Sequence, residues 1–284
     1  MEDLIKSLPV RLSITVDSYK YPDGTKALSA IDLKIKQGEF VGILGANGSG
    51  KTTLLKIMDG IIKDYDGASF LDGKDLRKLS PREIYSKVGM VFQNPDDQLF
   101  ASTVFEDVSF GPVNMGVSNE ETIHLVQKAL KAVEIDHLAK KSIHNLSYGQ
   151  KKRVCIAGLL AMGHEILLLD EPTSGLDPMG EYKMMSLLNK LNKENSVTIV
   201  MATHSVELIP LFLHNLYILS RGSVTRGGKP EEVFTAPEDM EDVKLRLPQI
   251  AELIYKLKNE DALPFSKLPL TIGEARREIL KLYS

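Results

Sequence analysis

The sequence predicts an α/β fold, and three stretches of the chain support that prediction. Residues 39–60 are typical of a strand, a glycine-rich loop and a helix in that order. Residues 165–170 and 197–202 contain short aliphatic runs, as expected for strands buried on both faces. Between these stretches, residues of about 94–160 are predicted to form a helical insertion within the α/β pattern.

Length, composition and charge limit the class of protein. The chain has 284 residues, of which 43% are hydrophobic, enough for one large domain or two. A net charge of −3 gives no general affinity for nucleic acid. The single Cys155 excludes an internal disulfide and favours a reducing compartment. No apolar run approaches the roughly 18 residues of a membrane span, and residues 1–10 lack the apolar core of a secretory signal. We therefore expect a soluble cytoplasmic chain.

The glycine-rich loop fills every fixed position of the P-loop pattern. Its glycines allow several backbone N–H groups to point into one concavity, and the following helix directs its positive end there. Lys51 is expected to reach the outer phosphates of a nucleotide, and the Thr52 hydroxyl to complete a Mg²⁺ shell. A glycine turn that binds nothing is the weaker alternative. The predicted nucleotide-binding residues here are Gly45, Ala46, Asn47, Gly48, Ser49, Gly50, Lys51, Thr52 and Thr53.

Two strands are predicted before the P-loop. Residues 10–19 and 28–35 alternate weakly between apolar and polar, and a Tyr-Pro-Asp-Gly turn lies between them, which predicts an antiparallel pair. Tyr19 and Tyr21 lie near the turn, where an aromatic ring can stack on a nucleotide base. Packing against a strand end is an equally good interpretation of either tyrosine taken alone.

The helical insertion contains three predicted helix starts. Capping boxes at residues 103–106 and 118–121 each open a helix. The second of these helices is predicted to place Ile123, Val126, Leu130 and Val133 on one face. The run LSYGQ follows at residues 146–150, where Ser147 and Gln150 form a third capping box. Three cations come next, Lys151, Lys152 and Arg153; because cations oppose the dipole at a helix start, they should face solvent or meet an anion. A capped helix without a ligand is the alternative interpretation.

Polar side chains follow the predicted parallel strands. Asp170 and Glu171 end the 165–170 run, and adjacent buried acids repel unless they hold a cation or a proton. We therefore predict that Asp170 holds Mg²⁺, directly or through water, and that Glu171 is a general base; an exposed acidic turn is the alternative. Gln93 and His204 follow two further strands in the same way. Because ligands bind beyond the carboxyl ends of parallel strands, these side chains and the P-loop should meet at one edge.

The C-terminal part of the chain departs from the strand pattern. Residues 216–224 predict a hairpin that turns at Arg221, and Pro248 opens a helix with an apolar face formed by Leu253, Ile254 and Leu257. A last helix is capped at residues 271–274 and ends in EILKLYS. Residues 230–284 are thus a small C-terminal domain or a helical extension packed on the main body, two possibilities that the sequence leaves open.

With the P-loop, Gln93, LSYGQ, ILLLDEP, SGLD and His204 in this order, residues 10–228 resemble the ATP-binding subunits of ABC transporters. The resemblance implies the P-loop NTPase fold of ABC ATPases, with an antiparallel β subdomain and a helical subdomain at about 94–160. It implies an ABC ATPase domain at residues 1–229, followed by the small C-terminal helical extension. It further implies that two such subunits enclose two ATP molecules with Mg²⁺, each P-loop facing the LSYGQ motif of the other subunit.

The resemblance also implies a role for each matching residue. Lys51 and Thr52 bind phosphate and Mg²⁺, Asp170 supports Mg²⁺, and Glu171 activates water. His204 contacts the γ-phosphate, Gln93 links Mg²⁺ to the membrane partner, and Asp177 communicates between the two sites. The residues implied to contact ATP across the interface are Ser147, Gly149 and Gln150. The adenine-stacking aromatic of the family falls at Tyr21 or Tyr19, of which Tyr21 is favoured. Tyr148 is a departure, because the family usually has glycine there, and it is expected to alter the freedom of the loop.

A narrower resemblance concerns residues 92–112 and the runs GLDPMG, VELIPLF and RLPQIAEL. These are similar to the ATPases of energy-coupling-factor importers, which take up metal ions and vitamins, and in particular to the cobalt-type members. The implied function is an ATP-hydrolysing subunit, a homodimer at the cytoplasmic face of the membrane, that energises integral membrane subunits importing a transition metal ion such as cobalt. A vitamin importer is the alternative.

Two other classes of ABC protein fit less well. A soluble DNA-repair ATPase carries a long coiled coil between the P-loop and LSYGQ, and the ribosomal type repeats the whole cassette; neither feature is present in the sequence. A catalytically inactive regulatory module is disfavoured because Lys51, Glu171 and His204 are all present.

An apolar run after Gln93 suggests where a membrane subunit docks. Leu99 and Phe100 are predicted to remain partly exposed in a loop and to form the floor of a groove for a helix of that subunit. Val104 and Phe105 lie in a capped helix and fit the core of the helical insertion equally well.

Overall fold

The computed structural model describes residues 8–282 of the chain. The strands are β1 (Val10–Lys20), β2 (Lys26–Lys36), β3 (Phe40–Leu44), β4 (Asp66–Leu71), β5 (Lys74–Asp75), β6 (Val88–Val91), β7 (Ile166–Asp170), β8 (Thr198–Thr203), β9 (Asn215–Ser220) and β10 (Ser223–Gly228). The helices are α1 (Lys51–Met58), α2 (Pro81–Tyr85), α3 (Val104–Asn114), α4 (Asn119–Ala132), α5 (Tyr148–Ala161), α6 (Pro178–Asn195), α7 (Ile209–Phe212), α8 (Pro230–Val233), α9 (Pro237–Glu241), α10 (Gln249–Asn259) and α11 (Ile272–Lys281).

The main sheet has six strands in the order β10-β9-β3-β8-β7-β6. Strands β9, β3, β8, β7 and β6 pair in parallel, and β10 adds an antiparallel edge. Along β7, Leu167 and Leu169 point into one core, whereas Ile166 and Leu168 point into another. Since both faces are covered, the strand sequence is continuously apolar rather than alternating. The predicted α/β class is confirmed.

A smaller antiparallel sheet, in the order β2-β1-β4-β5, shares the core on one side of the main sheet. The predicted pairing of the first two strands is confirmed, with Ile14 opposite Leu33 and Val16 opposite Ile31. Leu54 of α1 belongs to the same core as Ile14. The helix that follows the P-loop is therefore held by burial on this side.

The helical insertion covers the other side of the main sheet with α3, α4 and α5, whose buried residues include Val108, Val126 and Val154. One predicted contact is wrong, because Ile123 is 40% exposed and Thr122 is buried instead, one position earlier on α4. The second predicted capping box is only half formed. The Ser118 hydroxyl accepts a hydrogen bond from the Glu121 N–H, but no return bond from the Glu121 side chain completes the box.

The C-terminal segment packs on the core of the helical insertion through residues such as Phe234, Met240 and Leu247. It also has a small cluster of its own, Ile254, Phe265 and Ala275. The predicted apolar face of α10 is partly wrong, because Leu253 is 52% exposed. The last two residues of the predicted C-terminal helix, Tyr283 and Ser284, lie outside the described residues, and the division at residue 229 stays a prediction. None of the helices within residues 8–282 has the length and apolar character to cross a membrane.

Candidate nucleotide-binding site

The P-loop connects β3 to α1 and closes around the ammonium group of Lys51. Gly50 adopts a left-handed conformation (φ +105°), and a Cβ atom there would lie 2.8 Å from the Ala27 carbonyl oxygen, so both backbone and space require glycine. Lys51 Nζ donates to the carbonyl oxygens of Gly45, at 2.8 Å, and Ala46, at 3.2 Å. The loop thus holds a positive charge beside the N-terminus of α1, an arrangement suited to phosphate.

Thr52 and Asp170 lie in direct contact. The Thr52 hydroxyl donates to Asp170 Oδ2 at 2.7 Å, while Asp170 Oδ1 is buried without a hydrogen-bond partner. Burial raises the pKa of the Asp170 carboxyl, and the hydrogen bond from Thr52 opposes that shift. A buried carboxylate oxygen without a donor is costly unless a cation approaches it. These two side chains therefore fit Mg²⁺.

The site offers few protein ligands, which suits a metal ion that takes most of its coordination shell from other groups. Within residues 8–282, no group of three or more His, Cys, Asp or Glu side chains is arranged to hold a metal. Mg²⁺ bound with a nucleotide needs only one or two protein ligands, because phosphate oxygens and water supply the rest. Thr52 and Asp170 supply that number.

Glu171 lies immediately after β7 and is 4% exposed. One carboxylate oxygen, Oε1, is 3.4 Å from Lys51 Nζ. His204, which follows β8, places Nδ1 3.0 Å from Glu171 Oε1 and 2.9 Å from Oε2. Because an ionised carboxylate only accepts hydrogen bonds, Nδ1 carries the proton in this contact. These side chains meet at the carboxyl ends of neighbouring parallel strands, as predicted.

A cleft of about 430 Å³ lies in front of these groups. Its lining residues are Tyr21, Thr25, Lys26, Ala27, Asn47, Gly48, Gly50, Lys51, Thr52, Thr53, Gln93, Asp170 and Glu171. Tyr21 lines the cleft, and its hydroxyl lies 2.7 Å from Thr53 Oγ1. Tyr19 is not a lining residue; it packs edge-on against the Tyr21 ring, with 5.2 Å between the ring centroids. Sequence reasoning missed Thr25, Lys26 and Ala27, although their position directly after the Tyr-Pro-Asp-Gly turn was a signal.

Four predicted residues border the cleft rather than line it. Gly45 and Ala46 accept the hydrogen bonds of Lys51, His204 contacts Glu171, and the Ser49 hydroxyl is buried without a partner.

The LSYGQ residues of the same chain lie elsewhere. Ser147, Gly149 and Gln150 line a separate cavity of about 750 Å³ that shares no residue with the P-loop cleft. The capping box is confirmed, with the Gln150 N–H donating to Ser147 Oγ at 3.3 Å and the Ser147 N–H donating to Gln150 Oε1 at 3.0 Å. Asp177 caps α6, where its Oδ1 accepts from the Gly180 N–H at 2.6 Å. One chain alone therefore does not bring these residues to the P-loop.

Of the three cations after LSYGQ, Lys152 departs from the expectation that they face solvent or an anion, whereas Arg153 pairs with Glu134 at 3.1 Å. Lys151 does pair with a carboxylate, Asp96, at 2.6 Å. Lys152, in contrast, is only 1% exposed, and burial lowers its pKa to about 8. Its Nζ donates to the carbonyl oxygens of Glu171, at 2.6 Å, and Ser174, at 2.9 Å. The sequence did contain a signal of this burial. Lys152 is spaced from the buried Cys155, Ile156 and Leu159 as residues on one face of a helix are.

Comparisons with known proteins identify the family of the chain. A family model described as ABC transporter matches residues 28–174. A putative ABC transporter ATP-binding protein of Geobacter sulfurreducens is 68% identical over 273 residues, which cover 96% of this chain and 98% of the relative. A Methanococcus maripaludis protein named energy-coupling factor transporter ATP-binding protein EcfA is 48% identical, over 92% of this chain and 94% of the relative.

Two solved structures share the fold. The structure of cbiO1 from Clostridium perfringens, described as part of the ABC transporter complex cbiONQ, aligns with a TM-score of 0.76 and 44% identity, over 87% of this chain and 99% of its own. A dimeric ATP-binding cassette in a post-hydrolysis state with ADP and Pi aligns with a TM-score of 0.68 and 34% identity, over 78% of this chain and 98% of its own. The chain therefore belongs to the ABC transporter family, as an ATP-hydrolysing, ATP-binding subunit of the energy-coupling-factor type.

Proposed function

We propose that this chain energises an importer in the membrane by hydrolysing ATP at the interface between two copies of itself. The observation that carries the proposal is the contact of buried Glu171 with both Lys51 and His204, beside the P-loop cleft. A carboxylate, a cation and an imidazole at the carboxyl ends of parallel strands are the groups that a nucleotide hydrolase needs.

The cleft is proposed to hold ATP by groups with separate tasks. The face of Tyr21 stacks on adenine, and the P-loop N–H groups together with Lys51 take the β- and γ-phosphates. Thr52 and Asp170 hold Mg²⁺, and Gln93 lies within reach from the end of β6. The bound ion supplies positive charge next to the phosphate oxygens.

Glu171 is proposed to act as the general base. A water oxygen forms a bond to the γ-phosphorus, the bond from the γ-phosphorus to the bridging oxygen breaks, and ADP leaves with that electron pair. The water proton passes to the Glu171 carboxylate, which Lys51 and the Nδ1–H of His204 keep in position. Catalysis of this kind depends mostly on positioning and on charge stabilisation, which these contacts supply.

A second copy of the chain is proposed to complete each site. Ser147, Gly149 and Gln150 surround the N-terminus of α5 but lie outside the P-loop cleft of their own chain. The N-terminus of a helix attracts anions, and the γ-phosphate bound by the other copy is the anion that this surface suits. The dimeric cassette with ADP and Pi is a related structure that supports the arrangement. Asp177, at the start of α6, is proposed to couple the two ATP sites.

The helical insertion is proposed to receive the membrane subunit. Phe100 is 64% exposed and packs edge-on against Phe110, itself 51% exposed, with 4.6 Å between ring centroids. Val113 and Met115 add further exposed apolar surface on and just after α3. Leu99, in contrast, packs partly buried against the main core, so Phe100 is the better position for a test. An apolar helix face of a membrane subunit suits this surface, which lies just after Gln93, and docking there places the chain at the cytoplasmic face of the membrane.

The proposed cargo is a transition metal ion such as cobalt. Support comes from the runs GLDPMG, VELIPLF and RLPQIAEL, which resemble those of cobalt-type ATPases. Co-purification of the complex, followed by uptake of radiolabelled Co²⁺, Ni²⁺ or a vitamin into proteoliposomes, tests this assignment. Uptake of Co²⁺ that is abolished by Glu171→Gln is expected, and uptake of a vitamin alone would reassign the cargo without changing the ATPase.

The hydrolytic mechanism is tested with two variants. Glu171→Gln removes the base but keeps the shape, so ATP binding should remain while turnover falls by roughly 10²-fold or more. Lys51→Ala removes a phosphate contact, so the Kd for ATP itself should rise. Normal hydrolysis by Glu171→Gln, or unchanged ATP affinity in Lys51→Ala, would contradict the assigned roles.

A further inference from the structure

The backbone of Glu171 needs support that its side-chain contacts do not provide. Its φ angle of +50° lies in the left-handed region, which is unfavourable for a residue with a Cβ atom. The Glu171 N–H donates to the carbonyl oxygen of Ala202, at 3.0 Å. Its carbonyl oxygen accepts from the Ser174 N–H at 3.1 Å and from Lys152 Nζ at 2.6 Å. The lysine therefore helps to hold a conformation that the sequence alone disfavours.

Lys152 is the fifth residue of α5 and lies two positions after the LSYGQ motif. Burying an ammonium group at 1% exposure is costly, and an apolar side chain would fill the same space without that cost. What an apolar side chain lacks is the pair of hydrogen bonds to the carbonyl oxygens of Glu171 and Ser174. A charged donor strengthens both bonds, so the lysine is suited to fix the loop after β7.

Tyr148 covers this contact. Lys152 Nζ lies 5.1 Å from the centroid of the Tyr148 ring, within range of a cation–π interaction. The ring edge fills the space at Gly175, where a Cβ atom would come within 3.0 Å of Tyr148 Cε1. The Tyr148 hydroxyl donates to the Gln93 carbonyl oxygen at 3.1 Å. A glycine at position 148 would remove the contacts with Lys152, Gly175 and Gln93.

We propose that Lys152 is a positioning residue for Glu171, which connects the LSYGQ helix of a subunit to the loop that carries the same subunit's general base, with Tyr148 shielding the contact. The inference rests on the proposed role of Glu171. The LSYGQ motif of one copy meets the ATP bound by the other copy. Binding of that ATP therefore changes the position of Glu171 in the first copy, through α5 and Lys152. Hydrolysis at the two sites is then coupled inside each subunit.

The test compares Lys152→Met with Lys151→Met in the same complex or dimer. Methionine keeps the unbranched shape and removes the donors. Lys151 supplies a neighbouring control, because it pairs with the exposed Asp96 and not with the loop that carries Glu171. Lys152 does not line the cleft, so its variant should bind a fluorescent ATP analogue with a Kd within about twofold of wild type. Its kcat should fall about tenfold or more, and the Hill coefficient for ATP should move toward one. Lys151→Met should keep both values.

Tyr148 supplies a second pair of variants in case Lys152→Met does not fold. Tyr148→Phe keeps the ring over the ammonium and should hold kcat within about threefold. Tyr148→Gly uncovers Lys152 and loosens the loop, so kcat and the Hill coefficient should fall while the Kd for ATP is kept. A merely structural role would instead lower the thermal midpoint and the ATP affinity together.

The outcomes separate this inference from the function on which it rests. Wild-type kcat and cooperativity in Lys152→Met, with Glu171→Gln inactive, would overturn the positioning role alone. The same holds for Tyr148→Gly if only that variant folds. Full turnover in Glu171→Gln would remove the general base and, with it, the reason for positioning it.

Discussion

Asp59, at the end of the P-loop helix, offers a test of how burial sets the stability of the nucleotide-binding core. The residue follows α1 as its C-cap and is 6% exposed. Burial raises the pKa of its carboxyl to about 7. The negative end of the helix dipole also disfavours a carboxylate there. We therefore expect Asp59→Asn, which keeps the shape and removes the charge, to stabilise the protein at about pH 8.

The magnitude follows from the difference between the two pKa values of Asp59. The ordinary value is 3.8 and the folded value about 7, and a gap of about three units corresponds to about 4 kcal/mol. Below about pH 4 the carboxyl is protonated in both states, so no penalty for burying its charge applies. As the pH rises from about 4 to 7, the unfolded state loses its proton first, so the free energy of unfolding decreases. Since the buried amide itself costs about 1–3 kcal/mol, the net gain of Asp59→Asn at about pH 8 is about 1–3 kcal/mol.

Urea unfolding followed by circular dichroism measures this difference at about pH 5 and about pH 8. The gain from Asp59→Asn should be largest at the higher pH and close to zero or negative at the lower. Asp64→Asn, a few residues later and exposed, is the matched control and should change the free energy of unfolding by less than about 0.5 kcal/mol. A loss of stability in Asp59→Asn at about pH 8, or an equal difference at both pH values, would show that the charge of the buried Asp59 carboxyl does not destabilise the fold.

Three further predictions concern adenine, the membrane partner and the cysteine. Tyr21→Ala should raise the Kd for ATP by roughly 5- to 150-fold, the equivalent of about 1–3 kcal/mol of stacking, and Tyr21→Phe should not; an effect confined to Tyr19→Ala would show that the wrong tyrosine is assigned. Phe100→Asp should leave the ATPase activity of the purified subunit intact and abolish transport, which full transport in the variant would disprove. Burial raises the pKa of the Cys155 thiol to about 12, so a thiol reagent at about pH 8 should label it only after denaturation, and rapid labelling of the folded protein would contradict the buried position.

The parts of this fold that sequence reasoning predicts well are those where one physical requirement decides the outcome. Strands such as β7 carry continuous aliphatic residues because both of their faces are buried. Parallel pairing then brings the residues after each strand to one edge of the sheet, and that is why Gln93, Asp170 and His204 could be placed together beforehand. Complete capping boxes, as at Ser147, are predicted for a similar reason, since they satisfy backbone donors locally.

The parts that sequence reasoning predicts poorly depend on tertiary contacts. A lysine near the start of a helix is normally solvated, and the carbonyl groups of the loop after β7 explain the burial of Lys152. The exposed positions of Ile123 and Leu253 reflect which neighbouring element covers each amphipathic helix, and helical periodicity does not contain that information. Thr25, Lys26 and Ala27 reach the cleft because the β1–β2 turn lies over it.

Two copies of this chain are proposed to enclose ATP, with Glu171 as the general base of each site. The most direct measurement is the amount and form of nucleotide retained by Glu171→Gln after incubation with ATP and Mg²⁺, rapid desalting and determination of mass by light scattering. We expect a two-chain complex that retains one unhydrolysed ATP for each chain. Release of the ATP on desalting would contradict the enclosed dimer, and conversion to ADP at the wild-type rate would contradict the role of Glu171.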